Sequence, residues 1–146
     1  MSDRCIFCMI ATHQAEATRV YEDADTMAFA DIFPFQKGHL LVIPRTHVEN
    51  IYTLPDELAA SVFRTTARMA RILKEVLKPD GMTLIQANEK AGGQDVFHMH
   101  IHVVPRWENQ NVNYFSRKRV QVSRTELECT FREVGFALGG DRGDGR

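Results

Sequence analysis

The sequence has little that would suit a membrane protein or a disulfide-stabilised secreted domain. No run of apolar residues approaches the roughly 18 that a membrane span needs, and residues 1–10 lack the long apolar segment of a signal peptide. The 146 residues include only three cysteines, an odd number that does not suit a disulfide framework. We therefore expect a cytoplasmic protein that does not associate with a membrane.

The sequence also lacks an excess of charge of either sign. Its 18 Lys and Arg residues against 19 Asp and Glu residues give a net charge of -1, whereas strong non-specific binding to nucleic acid needs a basic surface. We therefore expect no nucleic acid partner. The apolar fraction of 44% is typical of a globular domain. The length predicts a single domain at 1–138, with its core in 5–106, followed by a disordered glycine-rich tail at 139–146.

Three strands are predicted before residue 45. The segments RVYED at 19–23 and MAFAD at 27–31 are rich in β-forming residues and predict a hairpin. The apolar segment HLLVIP at 39–44 predicts a further strand, which ends at Pro44 because proline cannot donate to a strand ladder.

A long helix and two more strands follow. Pro55 and Asp56 suit the first turn of a helix, and apolar residues recur at helical spacing as far as about Lys78. The segments MTLIQAN at 82–88 and VFHMHIHVVP at 96–105 then predict a pair of strands.

The C-terminal part of the chain predicts one short helix. Thr125 and Glu128 have the spacing of a capping box, and the helix is expected to reach about Val134. The order of elements predicts an α+β fold, an antiparallel five-stranded sheet with one long helix and this short C-terminal helix.

Three histidines at alternate positions are the most specific feature of the sequence. His98, His100 and His102 would share one face of a strand, with apolar residues on the other face. Clustered imidazoles bind metals or act as nucleophiles and acid-base groups near neutral pH. The alternative is an exposed strand with incidental histidines, but half of the six histidines in the chain lie here.

A Cys-x-x-Cys motif near the N-terminus forms a second candidate site. Cys5 and Cys8 alone are compatible with zinc, a redox pair or free thiols, although the βαβ context of a thioredoxin-like motif is missing. Zinc in a structural site needs four ligands. His47 and one of the three clustered histidines are the natural candidates to complete such a site.

The loop AGGQD at 91–95, directly before the histidines, is a candidate anion site. Paired glycines let backbone N–H groups approach a phosphate closely. No Gly-Lys-Ser/Thr sequence follows, so this is not a Walker P-loop. A plain flexible hairpin loop is the alternative.

These motifs together resemble the histidine triad (HIT) superfamily. The segment from His98 to Val104 is similar to its His-φ-His-φ-His-φ-φ signature, in which φ is apolar. CIFCMI, AFADIFPFQKGHLLVIPRTH and NEKAGGQDVFHMHIHVVPR resemble successive blocks of the family, in order, over residues 5 to about 106. The resemblance implies a HIT-like fold, a homodimer with joined sheets, and hydrolysis or transfer on a bound nucleotide.

The resemblance also implies residue roles. His100 is implied as the nucleophile that attacks the α-phosphorus, while His102 and the backbone of Gly93 and Asp95 would hold phosphoryl oxygens. Gln94 would border the leaving group. The other positions that match contacts to a purine nucleotide are Asn88, His39, Asp31 for the ribose hydroxyls, and Phe7, Ile10, Phe29 and Ile32 for the base.

Members of the family that begin with Cys-x-x-Cys imply a zinc-containing, bacterial-type branch. Its structural Zn²⁺ would be held here by Cys5, Cys8, His47 and His98, and no organic cofactor is expected. Asp95 departs from the family, because well-known members have serine or threonine at this position.

The expected activity is cleavage at the α-phosphate of nucleoside phosphoramidates or dinucleoside polyphosphates, through a nucleotidyl intermediate on His100. A nucleotidyltransferase and a nucleotide-binding regulator with little turnover are the alternatives. His102 favours hydrolysis, because uridylyltransferases of the superfamily have glutamine there.

Overall fold

The computed structural model describes residues 5–108, 110 and 120–140. Its strands are β1 Arg19–Glu22, β2 Thr26–Ala30, β3 Leu40–Pro44, β4 Gly81–Gln86 and β5 Ile101–Arg106. Its α-helices are α1 Ile6–Ala11, α2 Asp56–Leu77 and α3 Arg124–Gly140, and a 3-10 helix covers Ile51–Thr53. The strands form one sheet in the order β1-β2-β3-β5-β4, with every neighbouring pair antiparallel. The predicted α+β class and five-stranded antiparallel sheet are confirmed.

The strand order brings distant segments of the chain together. β2 and β3 are completely buried and form a hairpin-like pair in the middle of the sheet. The chain then crosses through α2 to β4 at the edge, and β5 returns between β3 and β4. Leu41 on β3 therefore lies opposite His102 on β5. The residues that flank these two strands meet at one end of the sheet.

The long helix α2 has the predicted limits and covers one face of the sheet. Acidic Asp56 and Glu57 occupy its first turn, where the helix dipole favours negative charge. The helix ends where Lys78 adopts a left-handed conformation with φ of 52°. Buried Met69 and Leu73 belong to the main core, which α2 forms with β2, β3 and β5.

The last strand is shorter than the sequence predicted. It begins at Ile101, so His98 and His100 precede the strand instead of lying in it. The reason is that Met99 N–H donates to the carbonyl of Val48, beyond the end of β3, at 2.7 Å. Side chains still alternate, because Met99, Ile101 and Val103 are buried in the main core.

The C-terminal helix is longer than predicted. Buried Leu127, Phe131, Val134 and Leu138 continue an apolar stripe beyond the expected end near residue 134. The helix α3 packs on α2 and β1, and it includes residues 139 and 140 of the predicted tail. The remainder of that tail, 141–146, lies outside the described residues. No helix within the described part of the chain is long and apolar enough to cross a membrane.

Candidate functional site

A cavity of about 430 Å³ opens beside the end of β5 and combines an apolar wall with a few polar groups. The predicted site residues that line it are Phe7, Ile10, Phe29, Asp31, Ile32, Asp95, His100 and His102. They come from α1, from the end of β2 and from the segment before and on β5. The tertiary structure thus brings together residues that are up to 95 positions apart in sequence, from Phe7 to His102.

His100 is oriented by a backbone hydrogen bond. Its Nδ1 lies 2.7 Å from the carbonyl oxygen of His98, and because a carbonyl only accepts, Nδ1 must carry the hydrogen. In the neutral ring the lone pair is therefore on Nε2. The side chain is 3% exposed, lines the cavity, and packs in a T-shaped contact with Phe7, with ring centroids 5.2 Å apart. This is the arrangement that a nucleophilic imidazole requires.

His102 has the opposite tautomer, fixed by a chain of hydrogen bonds. The backbone N–H of Phe35 donates to His39 Nδ1 at 3.0 Å, so His39 carries its hydrogen on Nε2. His39 Nε2 in turn lies 2.9 Å from His102 Nδ1, which must accept. The hydrogen of neutral His102 is therefore on Nε2. Burial is the largest cause that lowers the pKa of His102 to about 3, so this ring is a neutral hydrogen-bond donor at pH 7.

Two carboxylates flank the histidines. Asp31 Oδ1 accepts the backbone N–H of Phe33 at 2.8 Å, and its Oδ2 lies 3.6 Å from His39 Nε2. Asp95 Oδ1 accepts the N–H of Val96 at 2.9 Å and lies 3.4 Å from His100 Nε2. A hydrogen bond from His100, in the form of the ring that carries a hydrogen on Nε2 as well as on Nδ1, is the largest cause that holds the pKa of the Asp95 carboxyl well below its ordinary value. Asp95 is therefore anionic at neutral pH.

Three predicted site residues between β4 and His98 do not line the cavity, namely Asn88, Gly93 and Gln94. Gln94 is 4% exposed, accepts from Glu89 N–H at 2.7 Å, and donates to the carbonyls of Glu49 at 2.7 Å and Val96 at 3.0 Å. These bonds fasten the loop to the segment after β3. In this structure Gln94 is a loop anchor.

Gly93 and Asn88 also make contacts within the loop region. The N–H of Gly93 donates to the carbonyl of Lys90 at 3.0 Å, so it is engaged in a turn. Asn88 Oδ1 accepts from the N–H of Ile51 at 2.8 Å. The turn needs glycine at position 92, because a Cβ there would collide with the carbonyl oxygen of Asn88. His39 also does not line the cavity, but its Nε2 contacts Nδ1 of His102, which does.

The structure also brings the four predicted metal ligands into one cluster. Cys5 Sγ lies 3.4 Å from His98 Nδ1, and Cys8 Sγ lies 3.5 Å from the same nitrogen and 3.2 Å from His47 Nδ1. All four ligand atoms lie within 4.8 Å of one another. The sulfur-to-nitrogen edge of a tetrahedral zinc site is about 3.5 Å for ordinary bond lengths. The donor set and its spacing therefore fit one zinc ion.

The protonation of His98 suits a metal ligand. Its Nε2 lies 2.8 Å from the carbonyl of Pro44 and must donate, which leaves the Nδ1 lone pair facing the two sulfurs. Burial is the largest cause that lowers the pKa of His98 to about 4, so the ring is neutral at pH 7. The cluster could hold a metal, and its members are the residues predicted from the sequence.

The cavity also has residues that sequence analysis did not identify. Arg124, at the start of α3, lines it together with Glu16. The N–H of Val122 donates to the carbonyl of Ile32 at 2.8 Å, which ties the C-terminal segment to the cavity wall. Arg124 is the only Lys or Arg among the lining residues that the structure describes. No sequence motif marks it, because the residues that it contacts, Glu16 and Thr18, lie 108 and 106 positions away in the sequence.

Comparisons with known proteins identify the family. The family model described as HIT domain matches residues 12–109. "Protein hit" of Bacillus subtilis is 42% identical over 106 residues, which cover 73% of each chain.

Two solved structures share the fold. A zinc-bound histidine triad family protein from Mycobacterium smegmatis is 37% identical, with a TM-score of 0.77 and coverage of 94% of this chain and 97% of that one. A HIT family hydrolase from Legionella pneumophila is 33% identical, with a TM-score of 0.65 and coverage of 77% and 98%. The triad of histidines, the strand order and these matches lead to one conclusion: the chain belongs to the HIT domain family.

Proposed function

We propose that the protein is a nucleotide-binding hydrolase that cleaves at the α-phosphate of nucleoside phosphoramidates or dinucleoside polyphosphates. The observation that carries the proposal is the pair of opposite tautomers at the cavity. His100 offers a lone pair on Nε2, and His102 offers a hydrogen on Nε2. One histidine is thus suited to attack phosphorus and the other to hold a phosphoryl oxygen.

The reaction proceeds in two displacements. His100 Nε2 forms a bond to the α-phosphorus while the bond from phosphorus to the leaving group breaks, and the leaving group takes the electron pair. Water then attacks the nucleotidyl-histidine, releases the nucleoside monophosphate and returns His100 to its neutral form. Imidazole suits this path because it attacks well when neutral and leaves well when it carries positive charge.

The rest of the cavity suits a purine nucleoside. Phe7 and Phe29 pack edge to face with centroids 5.3 Å apart, and with Ile10 and Ile32 they form an apolar wall for the base. The Asp31 carboxylate has acceptor oxygens for two ribose hydroxyls. We propose that Asn88, Gly93 and Gln94 act less directly, through the shape of the loop that presents Asp95 and the histidines.

We propose further that the Cys5, Cys8, His47 and His98 cluster binds a structural Zn²⁺. All four positions would be filled by protein, which leaves no open position for an activated water. The support is the fit of donor atoms and distances, together with the zinc-bound relative. Such an ion would link α1 to the segment after β3, which carries His47, and to the segment before β5, which carries His98. It would take no part in the displacement at phosphorus.

We propose that each chain has one HIT domain, residues 1–138. We also propose that the protein is cytoplasmic and that two chains form a homodimer. β4 is an edge strand, and Leu84 on it is 44% exposed. An edge strand presents backbone groups that a second copy can pair with. Joining two such edges would extend the sheet across both subunits.

The proposed chemistry is tested by trapping the intermediate. Wild-type protein is mixed briefly with adenosine 5′-phosphoramidate, quenched and measured by intact mass, and we expect an adenylyl adduct. His100→Ala should give no adduct and lose nearly all hydrolysis, yet still bind AMP in calorimetry, because the contacts to base and ribose remain. Retention of more than about a tenth of the wild-type rate by His100→Ala would contradict a covalent mechanism.

A further inference from the structure

Arg124 is positioned at the cavity by the backbone on either side of it. Ser123, the residue before it, caps α3, because its Oγ accepts from the N–H of Glu126 at 3.2 Å. One residue further back, the N–H of Val122 donates to the carbonyl of Ile32 at 2.8 Å. Arg124 is thus the first residue of a capped helix and lies two residues from a bond to the cavity wall.

The Arg124 side chain lines the cavity next to the end of β2. Its guanidinium contacts the carbonyl oxygen of Glu16 and Oγ1 of Thr18, both at 3.5 Å. The Thr18 carbonyl in turn accepts from the N–H of Ala30 at 2.9 Å, and Ala30 is the last residue of β2, directly before Asp31. The guanidinium is therefore beside the segment that carries the proposed ribose contact, at the nucleoside end of the cavity.

The contacts that hold the guanidinium are weak enough for a ligand to replace. Hydrogen bonds from N–H to oxygen are ordinarily about 2.7 to 3.2 Å long, whereas both contacts of Arg124 are 3.5 Å long. A guanidinium presents several N–H donors in a planar fork, which can pair with two neighbouring acceptors at once. Arg124 is half-buried, so a bond that it makes to a ligand is screened less by water and salt than one at an exposed residue.

The edges of the purine bases differ in a way that a guanidinium can distinguish. Guanine carries two neighbouring acceptors, O6 and N7, where adenine carries an amino donor beside N7. A guanidinium only donates, so it can form two bonds to this edge of guanine but meets another donor at the adenine amino group. The apolar wall contacts the faces of either base equally, because the two bases have the same ring system. Discrimination between them therefore depends on polar residues at the base edge.

We infer that Arg124 determines base specificity, so that nucleotides of guanine and hypoxanthine, whose bases carry the O6 acceptor, are preferred over nucleotides of adenine. This inference rests on the proposed function and selects the base within its substrate class. It goes beyond the resemblance to the HIT superfamily, because the segments that carry the resemblance end at about residue 106 and Arg124 follows them.

Glu16 would give the opposite preference. It also lines the cavity, and a carboxylate at the base edge would accept from the adenine amino group. Glu16 is exposed, however, whereas Arg124 is half-buried, and water and salt screen the charge of an exposed residue more strongly. We therefore expect Arg124 to dominate.

The test compares three compounds that differ only in the base, the 5′-phosphoramidates of guanosine, inosine and adenosine. Inosine shares the O6 and N7 acceptors of guanosine and lacks its amino group, so it tests the acceptors alone. For wild type we expect kcat/KM for the guanosine and inosine compounds to exceed that for the adenosine compound by about tenfold, the effect of one bidentate arginine contact. The difference should lie in KM, since the base is remote from phosphorus.

Two variants of Arg124 separate its fork from its charge. In Arg124→Met the ratio should fall to within about threefold of unity, because no donor remains at the base edge. Arg124→Lys keeps the charge without the planar fork, and its ratio should fall in the same direction. Arg132 is exposed on the same helix and does not line the cavity, so the matched control Arg132→Met should keep the wild-type ratio.

Two outcomes in the rate measurements would overturn the inference. The first is a ratio near unity in wild type, or one that Arg124→Met leaves unchanged. The second is a preference for adenosine that Glu16→Gln removes, which would assign recognition of the base to Glu16.

Binding measurements separate this inference from the proposed hydrolysis. If wild type cleaves none of the compounds and forms no adduct, the proposed activity fails, but calorimetric Kd values for GMP, IMP and AMP still decide the role of Arg124. Tighter binding of GMP and IMP than of AMP in wild type, lost in Arg124→Met, supports the inference. Equal ratios in the two proteins overturn it, and failure to bind any of the three nucleotides overturns both proposals.

Discussion

His39 Nε2 and His102 Nδ1 lie 2.9 Å apart across β3 and β5, and this contact determines which nitrogen of His102 carries a hydrogen. His39 is itself fixed by the Phe35 N–H and by the Phe35 ring, which stacks on it with centroids 5.2 Å apart. A histidine outside the cavity thus fixes the hydrogen-bonding character of a histidine inside it.

Replacing His39 by phenylalanine removes the donor to His102 while retaining an aromatic ring. We expect kcat to fall by about ten- to hundredfold, because one buried hydrogen-bond partner is worth about 1 to 3 kcal/mol. KM should change little. His39→Gln should recover part of kcat, since its amide can donate to His102 Nδ1. Wild-type kcat in both variants, measured alongside their melting temperatures, would show that the tautomer of His102 is irrelevant to turnover.

A substitution of Gln94 distinguishes two roles for this residue, stabilisation of the loop and direct contact with the leaving group. Gln94→Ala deletes three hydrogen bonds at a nearly buried position, and we expect the free energy of unfolding to fall by about 2 to 4 kcal/mol. Urea denaturation measures this loss. Gln121→Ala, at an exposed position before α3, is the control and should change stability by less than about 0.5 kcal/mol. Full stability with lost activity in Gln94→Ala would instead favour direct contact with the leaving group.

The metal cluster predicts a stoichiometry and a stability effect. Elemental analysis should give one zinc per chain, and Cys8→Ser should lower both zinc content and melting temperature, because the binding energy of a structural metal is folding energy. Cys129 is exposed and outside the cluster, so Cys129→Ser should change neither. A metal-free wild-type protein with the same stability as Cys8→Ser would refute the zinc site and leave the His100 chemistry untouched.

The buried histidines predict a loss of stability in acid. The pKa of His102 is lowered to about 3 in the folded protein and is about 6.5 in an unfolded chain. Between these values the unfolded chain binds one more proton. Stability therefore falls as pH decreases from about 6.5 towards 3, by about 1.4 kcal/mol per pH unit for this one group.

Denaturation curves at a series of pH values measure this effect. In His102→Gln the slope of unfolding free energy against pH should decrease by about one proton across that window. Wild type and variant with the same slope would mean that His102 titrates in the folded protein as it does in an unfolded chain.

The sequence by itself determined the five strands, the helices α2 and α3 and the candidate site residues, but it did not indicate the short helices at Ile6–Ala11 and Ile51–Thr53. The 3.6-residue period of α2, the alternation around the histidines and the Cys-x-x-Cys spacing depend on local geometry, so they are visible in a single segment. The limits of β5 and α3 were predicted less well. The first depends on the Met99 bond to Val48 and the second on packing against α2 and β1, and both are contacts with distant segments.

Only the tertiary structure decided how the histidines differ from one another. The alternation in the sequence does not distinguish the protonation of His98, His100 and His102. The carbonyls of Pro44 and His98 and the ring of His39 place the lone pair on Nδ1 in His98 and His102 and on Nε2 in His100. The bond from the Val122 N–H to the Ile32 carbonyl likewise brings Arg124 to the cavity, and three hydrogen bonds hold the Gln94 side chain outside the cavity lining. These outcomes depend on hydrogen bonds between residues far apart in the chain, and no local pattern encodes such partners.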